Sequence, residues 1–277
     1  MPAIVKSFLI LDTILFLNIG FSQNISQVYG GGGLSGASYQ NDFVELFNPS
    51  GSAINLSGWS VQYNSSTGTG TWLVQTLPNV SIQPYHYFLV ELASSTGTGV
   101  SLPTPDATGT INISVTSGKI ALCRSTTAMT GSNPIGLGSV VDFVGYGTSP
   151  VYEGSGPATG AGTTTSVLRK GGGFVNTSDN ANDFTTISPP NPRNSVSAAN
   201  PPPPPPAVAP VLTLPSRVAG QFAFRLTGTT GSNYVVQVST NLSGTNWIAV
   251  RTNAAPFSYT QSTTVFPRQF YRARVAQ

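Results

Sequence analysis

The stretch Asn41-Asp-Phe-Val-Glu-Leu-Phe-Asn-Pro49 contains a short run of β-forming residues that ends in a turn. Phe43–Phe47 combines aromatic and branched apolar side chains, which are enriched in strands. The sequence Asn48-Pro-Ser-Gly51 is typical of a turn, because proline fixes one φ angle and glycine allows a positive one. The stretch therefore predicts one strand of a β-sheet, followed by a tight reversal of the chain.

Similar runs recur along the first two thirds of the chain, separated by clusters of glycine, proline, asparagine and serine. The clearest are Phe43–Phe47, Trp59–Tyr63, Thr71–Gln75, Tyr87–Leu92, Lys119–Cys123, Val140–Val144 and Ser166–Arg169. This spacing is expected of a β-sandwich or barrel. Charged residues are 8% of the chain, against about 25% in an ordinary domain. The low charge argues against coiled coils and helical bundles, which need charged solvated faces.

Residues 1–22 are typical of a secretory signal peptide. Lys6 supplies a basic start, an apolar stretch follows, and Gly20 and Ser22 are the small residues of a cleavage site. A transmembrane helix fits less well, because Asp12 within the apolar stretch costs about 2.5–3.5 kcal/mol on insertion. We therefore expect export and no transmembrane span in the mature chain.

Six consecutive prolines, Pro201 to Pro206, predict a polyproline II spacer. Because such a run cannot sit inside a sheet, a linker at residues 200–210 would separate a domain at residues 24–199 from a second at residues 211–277. The second domain repeats short apolar runs and predicts a small β-sandwich. Those runs are Gln221–Leu226, Tyr234–Val238, Asn246–Val250 and Gln269–Val275.

Charge is distributed unevenly between these two domains. Residues 201–277 hold six arginines and no acid, whereas residues 24–200 hold eight acids and five bases. Such asymmetry can mark contact with a polyanion. The arginines are dispersed along the segment, however, and nucleic-acid binding needs a continuous basic stripe. Nucleic acid is therefore not the expected partner.

A set of short motifs runs through the first domain in order. They are Ile25–Gly33, Asn41–Pro49, Ile54–Trp59, Tyr87–Glu91, Gly118–Leu122, Asp142–Gly147, Glu153-Gly154, Ser166–Arg169 and Asn182–Phe184. In order and spacing, from residue 25 to about residue 195, they resemble the bacterial lamin tail domain. The resemblance implies an immunoglobulin-like β-sandwich, used as an accessory or surface module of secreted proteins and without catalysis of its own.

Two details accompany this resemblance. The family more often has Pro-Gly where this chain has Pro84-Tyr-His-Tyr87, a departure that changes the turn type and not the fold. Trp59 stands at the start of a predicted strand, where we expect its large ring to fill the space between two sheets. The second domain resembles, more weakly, small β modules at the ends of secreted bacterial proteins, and no function follows from that likeness.

Residues that could carry chemistry are few. Gly31, Gly33 and Gly36 match the G-x-G-x-x-G pattern, but a strand and not a helix follows them, so we interpret the segment as a loop. The single histidine, His86, is expected at the rim of the sandwich. The single cysteine, Cys123, is expected to be a buried, inert thiol. Neither a catalytic triad nor a Cys/His zinc site can be built from one of each.

Carboxylates are the remaining candidates. Asp42, Glu45, Asp106, Asp142 and Glu153 lie near predicted strand ends or loops. Ca²⁺ is the one cofactor that they suggest, with Asp42, Asp106, Asp142 and Glu153 as candidate ligands beside loop carbonyls. Their simpler interpretation is as turn caps or rim hydrogen-bond acceptors. A glycosidase would need two such groups about 5–10 Å apart in a cleft.

Tryptophan offers another type of contact. Trp72 and Trp247 could stack on sugar rings, although tryptophans in strand-like runs more commonly belong to the core.

These patterns predict an all-β, non-enzymatic protein, secreted from or displayed on a bacterium. We expect a structural, adhesive or display role, with an extracellular polymer, a cell-envelope component or a protein as partner. Self-assembly is one form of this role, because strands with few charges do little to block edge pairing. The alternative is an extracellular module that binds glycan or nucleic acid.

Overall fold

The computed structural model describes residues 23–95, 97–202, 207–262 and 268–276. Contacts divide the chain into two compact units, Met1–Pro202 and Pro203–Gln277. The predicted signal peptide lies outside the described residues, as do residues 203–206 of the predicted linker. Within the described ranges, no helix has the length and apolar character needed to cross a membrane.

The first unit is a β-sandwich, as predicted. Its strands are β1 (Asn24–Tyr29), β2 (Phe43–Phe47), β3 (Ile54–Asn55), β4 (Ser60–Ser65), β5 (Leu73–Thr76), β6 (Ser81–Ile82), β7 (Tyr87–Glu91), β8 (Ala107–Thr108), β9 (Gly118–Cys123), β10 (Val140–Tyr146), β11 (Ser166–Arg169) and β12 (Phe184–Ile187). The larger sheet has the order β12-β11-β1-β2-β7-β8 and the smaller one β10-β9-β4-β5. Strands β3 and β6 pair separately, and one helical turn, α1 (Asn180–Asp183), precedes β12.

Apolar side chains from alternate strand positions fill the space between the two sheets. Val44 and Leu46 of β2 face this core, together with Ile120 and Leu122 of β9. Trp59, just before β4, is 8% exposed and lies in the same core, which confirms its predicted place. Since burial of such a side chain contributes roughly 1.5–3 kcal/mol, this core is the main source of the sandwich's stability.

The outer face of the larger sheet is also covered. Residues 188–200, which we name the strap, cross it after β12. The amide of Gln27 on β1 donates to the Asn191 carbonyl at 2.9 Å, and the strap residue Arg193 binds Glu45 on β2. At the strap's end the Asn200 N–H donates to the Tyr85 carbonyl at 2.8 Å. Asn200, where the predicted linker begins, is therefore bound to the first unit.

The second unit is a smaller sandwich of two three-stranded sheets. Its strands are β13 (Val211–Val218), β14 (Gln221–Thr227), β15 (Asn233–Ser239), β16 (Ile248–Ala254), β17 (Phe257–Ser262) and β18 (Phe270–Val275). The sheets have the orders β13-β14-β17 and β16-β15-β18. Phe224, Leu226, Tyr234 and Val236 form the centre of its core. The Tyr234 hydroxyl donates to the Val208 carbonyl at 2.9 Å, so this unit includes residues before β13.

Candidate functional site

Asp42 is a buried acceptor that holds two loops of the sandwich. One carboxylate oxygen accepts from the Gly32 N–H at 2.8 Å and the other from the Ile113 N–H at 3.1 Å. Burial raises the pKa of Asp42 to about 7, although both hydrogen bonds act in the opposite direction. The carboxylate is thus used to fix the glycine-rich segment after β1.

Asp106 and Asp142 are likewise bound by groups of the protein itself. Asp106 accepts from the Leu89 N–H at 2.8 Å and from the N–H and hydroxyl of Ser195 in the strap. Asp142 accepts from the Ile25 N–H at 2.6 Å and forms a buried ion pair with Arg169. Each carboxylate joins segments that are distant in the chain, which is a structural role.

Glu45, another of the candidate acids, is paired with a residue of the strap. The side chain accepts from Nη2 of Arg193 at 2.8 Å and from the Ser26 hydroxyl at 2.5 Å. The same guanidinium lies 3.6 Å from the centroid of the Tyr87 ring. Burial raises the pKa of Glu45, and the contacts with Arg193 oppose that rise. This cluster fastens the strap to the sheet.

Glu153 is the one calcium candidate whose carboxylate has no hydrogen bond within the described part of the chain. Partial burial raises its pKa to about 7, helped by the nearby carboxylates of Asp142 and Asp183 and opposed by Arg169. The described residues contain no group of three or more His, Cys, Asp or Glu side chains arranged to hold a metal ion. Calcium binding stays a prediction. Of its four candidate ligands, Asp42, Asp106 and Asp142 already accept hydrogen bonds from groups of the protein.

The other sequence candidates lie apart from one another. The glycines of the G-x-G-x-x-G pattern form a loop between β1 and β2, with φ angles of 70° at Gly33 and 74° at Gly36. Cys123 is fully buried beside Met129 and Phe143, and burial raises its pKa to about 12, as expected of an inert thiol. His86 lies in the turn before β7, where its backbone carbonyl accepts from Asn48.

Each unit has a groove at its described surface. The first, of about 350 Å³, lies in the first unit and is lined by residues 75–78 and 106–108. Asp106 is its one acid, and the partners Leu89 and Ser195 occupy both of that carboxylate's oxygens. This groove therefore offers no free carboxylate for acid–base chemistry.

The second groove, which we name the amide cleft, has a volume of about 380 Å³ and lies in the second unit. It is lined by Val238, Ser239, Thr240, Asn241, Gly244, Asn246, Ile248 and Gln269. Pairing of β15 with β18 places Ser239 opposite Phe270, and this pairing brings Gln269 next to the 240–246 loop. The sequence did not indicate this cleft, because neutral polar residues in a loop carry no recognisable motif and because strand pairing is needed to bring Gln269 to that loop.

Trp247 supports one wall of the amide cleft and is not a core residue, contrary to the sequence expectation. Its indole Nε1 donates to the carbonyl of Gly244 at 3.1 Å. The guanidinium of Arg272 lies 4.3 Å from the centroid of its ring, and Nε of Arg272 donates to Gln237 at 2.9 Å. Trp72, by contrast, is buried in a small cluster with Phe143, as predicted.

Comparison with known proteins identifies the first unit. Residues 24–148 match the family model of the lamin tail domain, whereas no curated protein matches the chain. The match ends within the sandwich, because β11 and β12 lie beyond it and complete the larger sheet. The chain therefore contains a lamin tail domain, an immunoglobulin-like structural domain that is not an enzyme family.

Proposed function

We propose that this protein is a non-enzymatic adhesive or display protein of the bacterial cell surface or the extracellular space. The observation that carries the proposal is a contrast between the two units. The first unit uses its buried charged groups to hold its own fold. The second presents an open cleft, in which the amide nitrogens of Asn241 and Gln269 and the side-chain amide of Asn246 have no hydrogen bond within the described residues.

The carboxylates of the first unit support a structural role. A hydrolytic pair needs two carboxyl groups that face a substrate cleft, and perturbed acids are candidates for catalysis only when they line such a site. Asp42, Glu45 and Asp142 are buried and bound by protein donors instead. Their arrangement is that of a rigid scaffold.

The organisation of the chain supports a location outside the cell. Residues 1–22 have the character of an export signal. The proline run separates the lamin tail domain from a second module along the sequence, and runs of this composition are common in linkers. A scaffold, a spacer and a binding module are the parts that a display protein needs.

Export is the property to test first. The full chain and a variant that lacks residues 2–22 are expressed in the producing bacterium, and intact cells are treated with protease before fractionation. We expect the full chain in the medium or in a protease-sensitive surface fraction, and the truncated variant inside the cell. A full chain that stays in the cytoplasm and is protected from protease would contradict the proposal.

Self-assembly is a second form of this role, favoured by strand β13. This strand pairs only with β14 among the described strands, so one of its edges is open. It also exposes apolar side chains, with Leu214 74% and Val218 71% accessible, and open apolar edges promote pairing between chains. Light scattering should show concentration-dependent association that Leu214→Lys weakens, and a strict monomer at high concentration rules this form out.

A further inference from the structure

We infer that the amide cleft is a binding site for a neutral polysaccharide. The inference rests on the proposed adhesive function, for which it names the class of partner. It concerns only the second unit and depends on the chemistry of the cleft, in four respects: charge, free hydrogen-bonding groups, apolar surface and rigidity.

The cleft carries no formal charge. Of the described residues that line it, all are apolar or neutral polar. A polyanion such as nucleic acid is held mainly by cations on its phosphates, and none of the described lining residues is a cation. The guanidinium of Arg272 stacks on Trp247 and donates to Gln237. The cleft therefore favours an uncharged ligand, although the unit as a whole is basic.

The cleft does contain amide groups that are free to bind. Oδ1 of Asn241 accepts from the Ser243 N–H at 3.0 Å and Oε1 of Gln269 accepts from the Tyr271 hydroxyl at 2.9 Å. The amide nitrogens of both side chains, and the whole side-chain amide of Asn246, have no hydrogen bond within the described residues. Side-chain amides provide donors and acceptors together, which suits hydroxyl groups that do the same.

Apolar side chains lie beside these amides. Val238 and Ile248 line the cleft, and Ile248 is 68% exposed. A sugar ring carries hydroxyls on its edge and C–H groups on its faces, so a surface with both characters fits it. Small-ligand sites typically combine apolar lining with a few polar groups, in volumes of about 300–1,000 Å³. The volume of 380 Å³ falls in that range.

An extended peptide fits this place less well than a sugar chain. A peptide that adds to a sheet needs an open strand edge with unpaired backbone groups. Val238 and Ser239 belong to β15, which is the central strand of its sheet, and Val238 is opposite Ile248 on one side and Tyr271 on the other. The cleft thus presents side chains rather than a free backbone edge.

Trp247 acts here as a positioning residue. Arg272 fixes its ring, and its indole N–H holds the Gly244 carbonyl, so the wall of the cleft is shaped before any ligand arrives. Pre-organisation of this kind strengthens binding, because less order has to be imposed when the ligand binds.

Affinity gel electrophoresis of the full chain tests the inference. The native gels contain a neutral glucan, mannan, xylan or galactan, and parallel gels contain heparin or single-stranded DNA. We expect at least one neutral polysaccharide to retard the protein equally at low and high salt, since no ion pairs are involved. Retardation by none of the neutral polymers overturns the inference, and so does retardation by heparin or DNA alone that is lost at high salt.

Two variants locate the site. Asn246→Ala and Gln269→Ala should each weaken binding to the neutral polymer roughly fivefold, as expected for one lost hydrogen bond. The matched control is Asn233→Ala, an exposed asparagine at the opposite end of β15, which should bind like the parent chain. Unchanged binding in both cleft variants would place the ligand elsewhere and refute the inference.

This result can be separated from the proposed function. If the chain is exported but binds none of the neutral polymers, the proposed surface role stands and the amide cleft is not a polysaccharide site. If the chain binds a neutral polymer through Asn246 yet remains in the cytoplasm, the polysaccharide site stands and the proposed surface role is wrong.

Discussion

Nη2 of Arg169 on β11 donates to both carboxylate oxygens of Asp142 on β10, at 2.6 and 2.8 Å. The two strands belong to different sheets, so this ion pair joins the two layers of the sandwich. Both side chains are almost completely buried, and Asp183 lies 3.6 Å from the other terminal nitrogen of Arg169. Because the charges are removed from water, each depends on the others for its solvation.

Replacement of Arg169 should therefore destabilise the first unit strongly. Arg169→Met leaves the carboxylates of Asp142 and Asp183 buried without a cation, and loss of one partner of a buried pair costs about 3–5 kcal/mol. Urea unfolding of residues 23–202 measures the free energy of unfolding. The control is Arg124→Met at an exposed position over the Trp59 ring, where we expect a loss below about 1 kcal/mol. A loss that small for Arg169→Met would refute the structural role.

The fold of the lamin tail domain should require residues beyond the family match. A chain that ends at residue 148 lacks β11, which pairs with β1, and also lacks Arg169 and Arg193, the partners of Asp142 and Glu45. We expect residues 23–148 to show no cooperative unfolding transition and residues 23–202 to show one, in circular dichroism against urea. A cooperative transition in the shorter chain would mean that β11 and the strap are accessory parts.

Much of this fold was predictable, because it depends on local patterns. The bounds of β2 and β11 match the predicted runs, and the core position of Trp59 was correct. Strand β13 was missed, since Pro215 interrupts it and it follows a proline run. Strand β17 was missed because only Phe257 and Tyr259 alternate with polar residues, and the rest of Phe257–Ser262 is polar, which is too short an alternation to indicate a strand.

The strap and the amide cleft could not be predicted from such patterns. The strap has no regular period, and polar contacts hold it in place. One feature of the sequence indicated that such a segment exists, because Glu45 lies within an apolar run and a buried carboxylate needs a partner. No pattern in the sequence identified Arg193 as that partner. The cleft depends on the conformation of the loop between β15 and β16, and on the pairing of β15 with β18 that brings Gln269 to this loop. Trp247 lies at the end of the same loop, outside β16, and is not part of the core.

Glu153 should make the stability of the first unit depend on pH. Its pKa in the folded chain is about 7, above the usual value of 4.5, so the folded state favours the neutral acid. The corresponding stability is present below about pH 4.5 and is lost as the pH rises through 7. Glu153→Gln imitates the neutral form, and it should gain roughly 1 kcal/mol over the parent at pH 8, allowing for partial exposure.

The check is urea unfolding at pH 4.5 and pH 8. At pH 4.5 the parent and Glu153→Gln should unfold at the same midpoint, whereas at pH 8 the variant should be the more stable. Glu91→Gln on β7 is the control and should follow the parent at both values. An equal difference between Glu153→Gln and the parent at the two pH values would show that packing, and not ionisation, causes it.

In the second unit, the Tyr234 hydroxyl should help to hold the segment before β13. It accepts from the Thr229 N–H at 2.8 Å and donates to the Val208 carbonyl at 2.9 Å, and the Tyr234 side chain is fully buried. Tyr234→Phe keeps the ring and leaves both backbone groups without this partner. An unsatisfied buried group costs about 1–3 kcal/mol, so the variant should unfold at lower urea and the Thr229 amide should exchange faster with solvent.

The control is Tyr259→Phe, which removes a half-buried hydroxyl bonded to the Gln261 side chain and should leave Thr229 exchange unchanged. Equal protection of Thr229 in the parent and in Tyr234→Phe would show that the hydroxyl contributes little. The segment would then be held by the hydrogen bond from the Val208 N–H to the Thr229 hydroxyl, at 3.0 Å, and by packing of Ala207.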